Sequence, residues 1–216
     1  MTHSRQHRPA IAAVLTAAAL MTGCQSGGAA TPLSLDGLTE TADGMPDDGT
    51  DTCPLPYDMG RAAKAAGLDA EAGPGPVEKS DEPVATAEGG KRAEPGDPLA
   101  VNQGVLVSCT FHIGRDDVQV HTAATREGYA VVPLAPVVSR LAAVSSDELI
   151  GYIDKAGKAK PGEAVVTGSG NVAAVRLKLD GDGDGVLVVG AGEWGKASLG
   201  RKQTGDLTQA LADQVG

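Results

Sequence analysis

The stretch VLVSCTFHIGRDDVQVHT, residues 105–122, decides the fold class of this 216-residue chain. Residues 105–113 carry apolar side chains at every second position, which predicts a half-buried β-strand. The next four residues, Gly114 to Asp117, predict a turn, and residues 118–122 predict the returning strand of an antiparallel hairpin. In that register Ile113 lies opposite Val118.

Short helices and a strand meander are predicted on both sides of this hairpin. Ser145 and Glu148 form a capping-box pattern that opens one helix, and Asp206 with Gln209 predicts the start of another. Helices are expected at 56–67, 136–144, 146–156 and 207–215, and strands at 164–167, 172–179 and 186–189. This order predicts an α+β fold in which a largely antiparallel sheet is flanked by short helices.

Two segments have the composition that is typical of disordered segments. Residues 24–52 hold six acidic residues and no basic one, and they are interpreted as a disordered acidic tether. Residues 69–104 are rich in Pro, Gly and acidic residues, and a connection of that length inside a domain is unusual. We therefore expect one α+β domain at 53–216, with a disordered insertion at 69–104.

The first residues have the pattern of an export signal. Arg5 and Arg8 precede a 12-residue apolar run, residues 10–21, which is too short to span a bilayer. The run ends at Met21-Thr22-Gly23-Cys24, which resembles a bacterial lipobox apart from Met21 where Leu is usual. This predicts a lipoprotein signal peptide at 1–23 and a diacylglyceryl, palmitate-type anchor on Cys24. An ordinary secretory signal, with Cys24 incidental, is the alternative.

The remaining cysteines form an even pair. An exported chain with three cysteines needs a reason for the odd one, and lipidation of Cys24 supplies it. Cys53 and Cys109 are then interpreted as a disulfide formed in an oxidising compartment. Two buried free thiols are the alternative.

These features together resemble a known group of proteins. The lipobox, the acidic segment, Cys53-Pro54-Leu55 before an Ala-rich helix, and Cys109-Thr110-Phe111 in a strand are similar to actinobacterial cell-envelope lipoproteins of unknown function. The resemblance covers about residues 20–113. It implies an α+β fold, a bridge from a helix to a strand, and a place outside the cytoplasm, on the membrane surface. It implies no activity.

The sequence DGDGDG at 180–185 is the most conspicuous chemical motif. Asp180, Asp182 and Asp184 match the first half of a calcium-binding loop, but Val188 and Ala191 occupy the later ligand positions. A plain hairpin turn is favoured, in which replacing any one of these aspartates by Asn would be neutral or mildly stabilising. Weak, water-rich Ca²⁺ binding is the alternative, and no other cofactor is expected.

Two further motifs are interpreted without a functional role. Gly190-Ala191-Gly192-Glu193-Trp194-Gly195 spells a dinucleotide fingerprint, but too few residues follow it for the helix, strand and acidic partner that the motif requires. His112 and His121 are expected on one solvated face of the hairpin, diagonally placed. A metal-binding pair is the alternative.

The charge and composition exclude one class of function. A net charge of −10 and five aromatic residues argue against a nucleic-acid binder. No serine-hydrolase elbow, zinc-protease motif or P-loop is present, although counting residues leaves a Ser-His-Asp triad open. The sequence predicts a noncatalytic protein on the extracytoplasmic face of the membrane that binds an unidentified envelope ligand or protein. An accessory subunit docked on an envelope protein is the alternative, and an enzyme is less favoured.

Overall fold

Alternating apolar residues build a long hairpin at the centre of the fold. The computed structural model describes residues 32–46, 50, 52–75, 85–86 and 98–216. The strands are β1 (Ala72–Pro74), β2 (Ala85–Thr86), β3 (Gly104–Ile113), β4 (Asp116–Thr125), β5 (Ala164–Val166), β6 (Val172–Leu177) and β7 (Asp184–Ala191). The helices are α1 (Leu35–Asp43), α2 (Met59–Ala65), α3 (Pro98–Val101), α4 (Ala135–Ala142), α5 (Ser146–Lys158) and α6 (Arg201–Ala212), with a 3₁₀ turn at Val132–Leu134.

All the strands belong to one antiparallel sheet. The order is β1-β3-β4-β7-β6-β5, and β2 also pairs with β3. We call the end that holds Ile113, Asp116 and Ala191 the hairpin end, and the end that holds Thr125 and Asp184 the Asp184 end. The predicted α+β fold with a largely antiparallel sheet is confirmed.

Helices cover both faces of the sheet, so the domain has two hydrophobic cores. On one face, α1 packs over β3, α2 packs beside β1 and α6, and α6 packs over β5, β6 and β7. The core on this face includes the alternating side chains of β3, among them Val105, Val107 and Phe111. On the other face, α4 and α5 pack over β6 and β7. Because both faces are covered, β7 is buried along its whole length.

The expectation of a tether over residues 24–52 is wrong where α1 forms. Ser34 caps this helix by accepting a hydrogen bond from the backbone of Gly37 at 3.0 Å. Leu35, Leu38 and Ala42 recur at helical spacing and are buried in the first core. Asp36, Glu40 and Asp43 therefore lie on the exposed side of a packed helix.

The expected insertion at 69–104 also contributes to the sheet. β1 and β2 both pair with β3, and α3 packs beside the start of that strand. The prediction of disorder is therefore wrong for these short elements. The rest of the insertion, residues 76–84 and 87–97, lies outside the described residues.

The hairpin turn is shorter than the sequence predicted. Ile113 pairs with Asp116, so Gly114 and Arg115 alone form the turn, and the expected pairing with Val118 is wrong. Gly114 has φ +60°, which a two-residue hairpin turn with Gly at its first central position requires.

The last helix also starts earlier than predicted. α6 begins at Arg201, where the side chain of Gln203 accepts a hydrogen bond from Gly200 N at 2.9 Å. Asp206 is not its cap but an ion-pair partner of Lys202, one turn earlier in the same helix.

The predictions for the N-terminal residues cannot be compared with the fold. The signal peptide and Cys24 lie within residues 1–31, outside the described part of the chain. Within the described part, no helix has the length and apolar character needed to cross a membrane.

Candidate functional site

A cavity of about 620 Å³ opens at the hairpin end of the sheet. Three parts of the chain meet there: the β3–β4 turn, the last turn of α4, and the segment that follows β7. The lining residues are Arg115, Asp116, Asp117, Gln119, Arg140, Leu141, Gly190, Gly192, Glu193, Trp194 and Lys196. We call this cavity the hairpin pocket, and its volume is in the range of small-molecule sites.

A glycine at the end of β7 allows α4 to approach the sheet beside the pocket. A Cβ on Gly190 would lie 2.7 Å from Cδ1 of Leu141, closer than atoms can pack. Asn171 then fixes the end of α4, because its side-chain amide donates to Leu141 O at 2.9 Å and to Gly192 O at 3.2 Å. Gly190 of the G-x-G-x-x-G motif therefore has a packing role, and Gly192, with φ +68°, has a turn role.

The pocket contains charges of both signs, and some of them are already paired. Lys196 forms an ion pair with Glu193 at 2.6 Å. Asp116 accepts hydrogen bonds from the backbone N of Ser198 at 2.8 Å and from the Ser198 hydroxyl. The Asp116 contacts hold the segment after β7 against the start of β4, and all these residues except Ser198 line the pocket.

Arg115 and Asp117 differ from their charged neighbours in the pocket. Within the described residues, neither side chain has a hydrogen bond or an ion pair. Trp194, whose side chain is 59% exposed, adds an aromatic surface beside them. The pocket can thus offer a guanidinium, a carboxylate and an indole to one small molecule.

His121 lies on the face of β4 that also carries Gln119, and α4 and α5 cover this face. It is 6% exposed, and its Nδ1 lies 2.8 Å from the hydroxyl of Ser108 on β3. Its Nε2 is buried and has no hydrogen-bond partner. The expectation that both histidines lie on a solvated face is therefore wrong for His121.

The two histidines are also further apart in the sheet than the sequence predicted. His121 pairs with Ser108, and His112 pairs with Asp117. His112 bonds to Pro74 O through Nδ1 at 2.9 Å. Among the described residues no group of three or more His, Cys, Asp or Glu side chains could hold a metal ion.

Protonation of His121 should destabilise the fold. Burial, and secondarily the positive charge of Arg140, lower the pKa of His121 to about 4. Because the unfolded chain has the ordinary pKa near 6.5 and binds the proton first, stability is retained above that pH and is lost as pH falls toward 4. We expect His121 to account for a loss of about 3 kcal/mol across this interval.

Urea unfolding at pH 7, 5.5 and 4 measures this effect. His121→Asn should flatten the pH dependence between pH 6.5 and 4. His112→Asn is the matched control, because His112 also bonds through Nδ1 but is less buried, and it should keep the wild-type dependence. Equal slopes in all three proteins would contradict the assignment.

The DGDGDG loop separates its three aspartates. Asp180 and Asp182 are exposed, whereas Asp184 is 6% exposed. Asp184 accepts from Arg176 at 2.7 and 3.1 Å and from the backbone N of Ala130 at 2.9 Å. The interpretation of all three as turn residues is wrong for Asp184, and a Ca²⁺ site would have to draw it away from these partners.

Cys53 and Cys109 form a disulfide, with their Cα atoms 5.2 Å apart. Cys109 is buried on the face of β3 that α1 and α2 cover, and Cys53 packs against the same core. The bridge fixes the chain just before α2 onto the central hairpin. It lies on the face of the sheet opposite His121, and neither cysteine lines the hairpin pocket.

The G-x-G-x-x-G motif at 190–195 is visible in the sequence, but the sequence did not predict that it forms one site with the β3–β4 turn. The signal available was the position of both segments at strand ends that the antiparallel pairing of β4 with β7 brings together.

No family model, no curated protein and no solved structure matches the chain.

Proposed function

We propose that this protein is a lipid-anchored, extracytoplasmic binding protein that takes a small zwitterionic ligand into the hairpin pocket. The observation that carries the proposal is the presence of Arg115 and Asp117, both without partners among the described residues, in one cavity of about 620 Å³. An anionic group of the ligand would bind the guanidinium of Arg115. A cationic group would bind Asp117, and an apolar part would lie on Trp194.

The charge of the pocket supports a zwitterion over a simple anion or cation. Its lining contributes three basic and three acidic side chains. A simple anion would meet the carboxylates of Asp117 and Glu193, and a simple cation would meet Arg115 and Arg140. A ligand that carries both charges can satisfy both signs, and charge-assisted hydrogen bonds are the stronger class.

We propose binding without catalysis because Ser108 and His121, the Ser-His pair described above, are poorly arranged for catalysis. A general base works best with a pKa near the working pH, and His121 has a pKa of about 4. In a catalytic triad the second ring nitrogen donates to a carboxylate. In this protein that nitrogen, Nε2, is buried without a partner.

Ligand binding can be followed through Trp194, the only tryptophan in the chain. Titration with a panel of free amino acids and dipeptides should give a saturable change in its emission for at least one of them. Asp117→Asn should weaken that binding by about tenfold or more, because it removes one charged hydrogen bond. Asp182→Asn, an exposed aspartate at the opposite end of the sheet, is the matched control and should bind as wild type.

A flat response to every amino acid and dipeptide would contradict the assigned ligand class. Wild-type affinity in Asp117→Asn would contradict the assigned binding mode.

The lipid anchor is tested separately, with Cys24→Ala. Without the thiol no diacylglycerol can be attached, and we expect the variant to leave the membrane fraction. Metabolic labelling with a radioactive fatty acid should mark the wild type alone. Ser26→Ala, two residues away, is the control and should be labelled and membrane-bound. Identical partitioning of wild type and Cys24→Ala would contradict lipidation.

A further inference from the structure

Three exposed apolar side chains cluster at the Asp184 end of the sheet. Val101, Tyr129 and Val132 are 79%, 55% and 48% exposed. Val132 N donates to Tyr129 O at 2.9 Å, which closes a turn between them. α3, which ends at Val101, packs beside the 3₁₀ turn that begins at Val132. We call these three residues the apolar patch.

The backbone of the patch is held in an unusual conformation. Tyr129 has φ +72°, a region that residues with a Cβ rarely adopt. Its ring lies so close to α5 that a Cβ on Gly157 would be 2.9 Å from Cδ1 of the ring. The next residue, Ala130, is held through its backbone N by the buried Asp184. The fold thus presents Tyr129 at a fixed position with its side chain more than half exposed.

The start of the described chain reaches the same end of the sheet. Leu33 O accepts from Asp180 N at 2.8 Å, and Leu33 N donates to Val215 O at 3.2 Å. Asp180 lies in the loop between β6 and β7, next to the Asp184 end. Eight residues separate Leu33 from Cys24, so the two positions are at most about 30 Å apart along an extended chain.

From these positions we infer that the apolar patch rests on the bilayer surface to which Cys24 anchors the chain. This inference rests on the proposed lipid anchor. This limit of about 30 Å keeps the Asp184 end close to the lipid headgroups. Tyrosine is suited to that level, as tryptophan is, because its ring is apolar and its hydroxyl is polar.

The inference orients the whole domain. β4 is ten residues long, which corresponds to about 33 Å. The hairpin pocket lies at the far end of this strand from the patch. It therefore opens away from the membrane, toward the space from which an envelope ligand arrives.

The charges around the patch indicate that the contact does not depend on anionic lipid. Lys158 lies beside Tyr129, but Asp154 pairs with it at 2.6 Å. Asp180 and Asp182 are exposed at the same end of the sheet. With both signs present, the patch should contact uncharged or zwitterionic headgroups, and the contact should change little with salt.

Depth-sensitive fluorescence quenching tests the inference with the full lipidated protein. Val132→Cys and Ile150→Cys would each be labelled with a nitrobenzoxadiazole dye and reconstituted in phosphatidylcholine–phosphatidylethanolamine vesicles that carry a spin-labelled lipid. Ile150 is the matched control, an apolar residue of α5 that is 68% exposed and lies outside the patch. We expect the spin-labelled lipid to quench the Val132 label at least about twofold more than the Ile150 label.

A second variant removes the aromatic ring of the patch and keeps the backbone conformation. Tyr129→Gly deletes the ring, and Gly adopts the positive φ of this position without strain. In the Val132→Cys background it should reduce quenching toward the Ile150 level, while the protein still floats with the vesicles.

The outcomes separate the two proposals. Protein that fails to float with the vesicles overturns the lipid anchor and, with it, the contact of the patch. Protein that floats with equal quenching at both labels overturns the contact alone. A patch that serves a protein partner gives this second result, because the vesicles contain no other protein.

Discussion

Replacing both Cys53 and Cys109 by alanine is expected to lower the free energy of unfolding by about 4 kcal/mol. The bridge joins positions 56 residues apart, and its main effect is to restrict the unfolded chain. The closed loop includes the whole Pro- and Gly-rich segment at 69–104, whose described residues contribute only short elements to the sheet.

Denaturant unfolding with and without reductant measures this effect. A Cys24→Ala background prevents the third cysteine from exchanging with the pair. The double variant Cys53→Ala/Cys109→Ala should not respond to reductant, and reduced wild type should approach its stability. A loss below about 1 kcal/mol in both cases would contradict the expected stabilisation.

Asp184→Ala is expected to lower the free energy of unfolding by about 3 kcal/mol. The change would leave the Arg176 guanidinium, which is 29% exposed, without its carboxylate, and would leave Ala130 N without its acceptor. Arg176 also donates to Ala159 O at 3.1 Å, so the loss would spread to the end of α5. Most of the lost free energy comes from leaving Arg176 and Ala130 N without their acceptor. This penalty exceeds the net stabilisation that the intact ion pair provides.

Asp182→Ala is the matched control, because Asp182 is an exposed member of the same DGDGDG motif. Its stability should stay within about 0.5 kcal/mol of wild type. Adding Arg176→Ala to Asp184→Ala should cost less than the sum of the single changes, because both remove the same interaction. Equal losses for Asp182→Ala and Asp184→Ala would contradict the assigned role of Asp184.

The fold class could be predicted because the local patterns agree with the final structure. The alternation at 105–113 places its apolar residues on one face, and Ser145 with Glu148 forms the predicted capping box at the start of α5. In both cases the signal lies within a few residues of the structure it specifies. Tertiary packing did not change these elements.

The errors arose where a distant part of the chain decides the structure. Asp116 looks like a turn residue, but it belongs to β4 and bonds to Ser198, 82 positions away. His121 looks solvated on an isolated hairpin, but α4 and α5 cover that face. The case of α1 is different, because Leu35, Leu38 and Ala42 already have helical spacing and the acidic composition obscured it.

The same long-range dependence explains why the candidate site was missed. Arg115 and Trp194 are far apart in sequence and meet only because β4 pairs with β7. Neither residue belongs to a motif that identifies a binding site. The pairing of two strand ends, more than any single segment, specifies the hairpin pocket.

The bond between Leu33 and Val215 has a consequence for how the chain acquires its structure. The first and last described elements meet, and the contact of Asp58 with Gln214 also joins positions 156 residues apart. A ribosome releases the N-terminal part first, so α2 cannot dock on α6 until the last residues have emerged. That delay would suit the proposed export, because a chain that has not yet closed its fold can still be threaded across a membrane.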